Sequence, residues 1–69
     1  MELSLNDTIN AQINTELWSS YLFLSMSINA ESKGYKGIAN WFFAQHQNES
    51  ADAKKLIDHM NAIDSKIYL

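Results

Sequence analysis

The 69-residue chain contains no cysteine, no proline, no arginine and only two glycines, Gly34 and Gly37. Without cysteine there is no disulfide framework to hold a small fold together. Without proline nothing in the chain forces a long helix to break. Five lysines stand against eight acids, for a formal charge of −3. That balance leaves no basic stripe for a phosphate backbone or an anionic lipid surface, so neither nucleic acid nor membrane is an expected partner. No apolar run approaches the roughly 20 residues of a membrane span. The start, Met1-Glu2-Leu3-Ser4-Leu5-Asn6-Asp7, has neither the cationic opening nor the apolar core of a secretory signal, and the expected location is the cytoplasm.

What the chain does have is apolar residues, 46% of the total. A domain this short buries only about 60% of the surface its unfolded chain exposes, so it usually needs a staple. With disulfides excluded, the candidates are a bound metal and self-association.

The pattern predicts an all-α protein: a single unit over residues 1–69, folded as an antiparallel helical hairpin. Ser4 with Asp7 three residues later forms a capping-box-like start, and helix one is expected over about 5–32. Lys33-Gly34 suits a left-handed helix end. A loop over about 33–37 is short enough to turn helix two, expected over about 37–65, back alongside the first. Residues 66–69 read as a tail.

The apolar seams of both helices are interrupted by acids. Steps of four and three give Ile9, Ile13, Glu16, Ser20, Phe23, Ser27 and Ala30 on helix one. On helix two they give Ile38, Phe42, Gln45, Glu49, Asp52, Leu56, His59 and Ile63. A carboxylate taken out of water persists mainly when paired, hydrogen-bonded or bound to metal. Glu49 and Asp52 share a helical face, and Glu16 falls within about one turn of their level, so the three carboxylates are expected to converge around a cation. Acids at this spacing also occur on solvated faces, and their place in the seam is what favours metal. Apolar residues around most of each helix, including Trp18, Tyr21, Leu22 and Trp41, predict further burial against helices of another copy. The hairpin would then be half of a four-helix bundle, closed by a twofold axis.

Two longer runs carry a family resemblance. Glu16-Leu17-Trp18-Ser19-Ser20-Tyr21-Leu22-Phe23-Leu24-Ser25-Met26-Ser27 and Glu31-Ser32-Lys33-Gly34-Tyr35-Lys36-Gly37-Ile38-Ala39-Asn40-Trp41-Phe42 resemble the first two helices of bacterial non-haem ferritins. The resemblance runs from about residue 5 to residue 60. It implies iron storage: subunits that assemble into shells, oxidise Fe(II) at a carboxylate-rich di-iron centre and keep a ferric mineral. By the same resemblance Glu16 matches the first-helix ligand and Glu49 the bridging carboxylate. Asn48 stands where the family usually has Glu, Asp52 where it has His, and Phe23 where a Tyr is common. Aspartate for histidine exchanges a neutral nitrogen for a shorter anionic oxygen and favours harder cations.

The expected site is therefore Glu16, Glu49 and Asp52, holding iron or another divalent metal between paired hairpins, with ferroxidase activity if the site is intact. The expected partners are metal ions and further copies of the chain. His46, one position off the seam, is read as a half-exposed side chain, and His59 as a hydrogen-bonded core residue. Gln45 could bond a ligand carboxylate, and Met26 and Met60 read as packing. Ser19, Ser20 and Ser27 lack a suitably spaced histidine to make them nucleophiles. The rival reading is a self-assembling ferritin fragment whose metal chemistry has gone.

Overall fold

The computed structural model describes residues 4–69, so the reading of Met1, Glu2 and Leu3 lies outside the described residues. Two helices make up the fold, α1 over Leu5–Ser32 and α2 over Lys36–Ala62. They run antiparallel: Ser27 meets Ala39 near the turn, Ser20 meets His46 midway, and Asn10 meets Lys66 at the open end. No described helix is long and apolar enough to cross a membrane.

Local chemistry sets the ends. At the start of α1 the Ser4 hydroxyl accepts from the Asp7 N–H at 3.1 Å, and the Asp7 carboxylate accepts from the Ser4 N–H at 3.4 Å. This reciprocal cap satisfies two otherwise orphaned donors and contributes about 1 kcal/mol. Both helices close with the same motif. Gly34 takes φ 82°, which lets the Tyr35 N–H reach back to the Ala30 carbonyl at 3.0 Å. At the end of α2 it is Asp64 that takes φ 54°, and the Ser65 N–H bonds the Met60 carbonyl at 2.8 Å. Aspartate is among the few non-glycine residues that tolerate this conformation. It stops α2 at Ala62, whereas the sequence pattern alone runs on to about Ser65.

The seam is built largely from small residues. Ile13 and Met60 are fully buried, and Ala30, Ala39, Ala53, Ser20 and Ser27 fill most of the remainder. Ser27 donates to the Ala39 carbonyl at 2.8 Å, a contact that needs the two backbones close together.

The seam of α2 differs from the expected one. Its inward residues each stand one position after a stripe residue: Ala39 after Ile38, His46 after Gln45, Ala53 after Asp52, Met60 after His59. One residue is roughly 100° of rotation. The stripe of larger and acidic residues thus faces sideways, and Ile38, Asp52, His59 and Ile63 are exposed. His59 is accordingly not a core residue, as the seam position predicted. Small residues won the contact because they allow the closest helix approach.

The molecule measures 46 × 26 × 13 Å. Its thinnest dimension is little more than one helix diameter, so both broad faces of the layer are uncovered. Trp18 (63% exposed), Tyr21 (72%) and Trp41 (58%) stand on the surface.

Candidate metal centre

Glu16 projects from the middle of α1, and Glu49 and Asp52 project one turn apart from the middle of α2. The fold brings one oxygen of each within 4.8 Å of the others. Glu16 and Glu49 are half-buried and Asp52 is exposed. The group therefore sits at the margin of the seam, on the uncovered side, and not in a dry interior as its place in the pattern predicted. All three donors are carboxylate oxygens, a set suited to hard divalent and trivalent cations.

The charges repel. The Glu49 carboxyl is raised above its ordinary value of 4.5, first because a hydrogen bond with the Glu16 carboxyl favours its protonated form. Partial desolvation and the nearby charges of Glu16 and Asp52 act in the same direction.

Pattern reading did not find Gln12, whose Nε2 donates to Glu16 Oε1 at 2.6 Å. The signal was the four-residue spacing between them, which places the amide directly over the carboxylate on one helical face. Gln45 is half-buried and makes no hydrogen bond to the cluster among the described residues. Phe23 packs at the same margin, its ring 6.2 Å from Phe42 and 6.5 Å edge-on from Trp41. Asn48 is exposed and lies outside the carboxylate group.

His46 does not join the acids. Its Nδ1 lies 2.8 Å from Ser20 Oγ and 3.0 Å from the Ser20 carbonyl, while Ser20 Oγ also meets Ser50 Oγ. The fold thus places a histidine beside a serine, where spacing along the chain suggested no such pair. Ser20 is 5% exposed, so no substrate reaches its hydroxyl. Ser20, His46 and Ser50 form a half-buried polar tie between the helices. A surface hollow of about 450 Å³, lined by Leu24, Ser27, Ile28, Ala39 and Phe43 among others, is also separate from the acids.

Residues 6–68 match the ferritin-like domain family. The chain belongs to the ferritin-like family. Among its relatives are bacterial non-heme ferritins of Bacteroides fragilis, in two strains, 43% identical over 56 residues, which is 81% of this chain and 35% of theirs. The bacterial non-heme ferritin of Campylobacter jejuni is 39% identical over 61 residues, 88% of this chain and 36% of that protein. This ferritin-like chain spans about a third of the length of the curated relatives it matches. No solved structure gives a significant match.

Proposed function

We propose that this ferritin-like hairpin binds iron at Glu16, Glu49 and Asp52, and that a second copy covers the carboxylate side to complete a four-helix bundle with two metals. The observation that carries the reading is the convergence of three carboxylate oxygens within 4.8 Å on an uncovered side of a layer 13 Å thick. A ferritin-like bundle takes ligands from four helices, and one hairpin supplies two of them. Iron is the cargo: the three carboxylates hold Fe(II), whose charge offsets their mutual repulsion, and Gln12 orients Glu16 toward it. In the same reading the completed centre oxidises two Fe(II) to Fe(III), the two electrons passing to dioxygen, which leaves as hydrogen peroxide with two protons from solvent, and the assembly lies in the cytoplasm.

Apolar residues at the margin favour the pairing. Ile38, Trp41 and Ile63 are each more than half exposed, and a second layer of helices would cover them.

The test is an anaerobic titration with Fe(II), and in parallel with Mn(II), on the wild type and on Glu49→Gln. Metal should bind the wild type and raise its melting temperature, as a ligand of the folded state does. Identical binding by the two proteins overturns the site, and a monomer at all concentrations in sedimentation overturns the pairing. Two observations favour a second reading, a self-assembling helical module without metal: Asp52 is exposed, and Phe23 has no polar atom to offer. That module would associate normally and show no melting shift with either metal.

A further inference from the structure

Helix α1 carries another polar device, apart from the acids. Asn6, Asn10 and Asn14, four residues apart, hold residues 65–68 after α2 has ended. Asn10 Nδ2 donates to the Lys66 carbonyl at 2.8 Å, and Asn10 Oδ1 accepts from the Tyr68 N–H at 2.6 Å. Asn14 Nδ2 donates to the Tyr68 carbonyl at 2.7 Å. Asn6 Nδ2 reaches Ser65 Oγ and the Lys66 carbonyl, the latter at 3.3 Å. Asn10 is 5% exposed, an amide held in the fold by these bonds and by one to the Asn6 carbonyl at 3.0 Å.

The pattern is that of a strand. One residue of a parallel strand donates to a carbonyl and accepts from the N–H two residues further along its neighbour. The Asn10 amide makes that same pair of bonds, to residues 66 and 68, from the side of a helix. The order of contacts, Asn6 and Asn10 to Lys66 and then Asn14 to Tyr68, shows the tail running alongside α1 in the direction of α1. Apart from Ser65, the ladder touches main chain only. Lys66 and Tyr68 turn their side chains on each other, Lys66 Nζ lying 5.5 Å from the Tyr68 ring centre.

We propose that this side of α1 is a main-chain recognition site. Its ligand is an extended peptide segment read through its backbone, Asn10 is its central residue, and residues 65–68 of the same chain are its resident occupant. The site holds the residues that follow α2 as a strap against α1. Because recognition is by backbone, it tolerates changes in the side chains of the occupant.

Amide hydrogen exchange on the 69-residue chain, without metal, tests this independently of the iron reading. The Tyr68 N–H should exchange about tenfold or more slowly than in an unstructured peptide, as expected for one well-made bond. Asn10→Leu should bring it to the unstructured rate with helix content by circular dichroism unchanged. Lys66→Ala should leave its protection within about twofold, since no side chain of residue 66 enters the site. Should Asn10→Leu fail to fold, Asn14→Ala at an exposed position removes the bond to the Tyr68 carbonyl, loosens the same residue from α1 and should cut the protection several-fold. An unprotected Tyr68 amide in the wild type, or protection that survives Asn10→Leu or Asn14→Ala, overturns the site. Loss of protection in Lys66→Ala equally overturns backbone recognition.

Discussion

Glu16 of α1 and Glu49 of α2 face each other across the margin of the hairpin, carboxyl to carboxyl, and a hydrogen bond between them is the largest cause of the raised Glu49 titration. Two acids so placed favour holding one positive charge between them, whether proton or metal.

That relationship makes apo stability depend on pH in a definite direction. Because the folded Glu49 binds its proton more tightly than the unfolded one, its contribution is fully present below the ordinary value of 4.5. It is lost as pH rises through the raised folded value. Metal-free protein should therefore show a melting temperature that falls over this interval, and Glu49→Gln should flatten the fall. Equal pH profiles for the two proteins would rule out the shared proton.

Gln12 should matter to metal through Glu16 alone. Its amide holds Glu16 Oε1 at 2.6 Å, and removal of such an outer partner typically weakens a metal roughly tenfold or more. Gln12→Ala should show that loss in a Mn(II) titration with the fold unchanged, whereas unaltered affinity would make the contact incidental.

Asp52→His should change which metal is preferred. Asp52 is exposed, so the larger ring meets no packing obstacle, and the third donor becomes a neutral nitrogen. Binding of Co(II) and Zn(II) should rise relative to Mn(II), following ligand softness. A competition experiment that returned the wild-type ratio would show that position 52 does not ligate.

Met60→Ala removes one of the two large side chains that are fully buried. Comparable core truncations cost about 2–5 kcal/mol, and a chain of this size has little more than that in total. The variant should lose most of its helical signal at 25 °C, as read by circular dichroism, and a fully helical variant would mean that the seam is not the source of stability.

The amino-acid sequence by itself determined the secondary structure, the hairpin and the family. Ser4 with Asp7 and Gly34 are caps whose physics is local, involving groups within a few residues, and they are legible without a fold. The family runs around Glu16 and Trp41 are legible for the same reason: each lies within one helix. The three acids could be nominated from their place in the stripes, because carboxylates at helical spacing share a face wherever the helix goes.

Only the tertiary structure decided which face of α2 meets α1. A single position of rotation turns Asp52 and His59 outward and Ala53 and Met60 inward, and helical periodicity alone cannot distinguish two adjacent stripes that are both rich in apolar residues. Ser20 with His46, and Asn10 with Tyr68, are hydrogen bonds between residues 26 and 58 positions apart. No spacing rule reaches that far, because such bonds exist only once close packing of small side chains has brought the two backbones together.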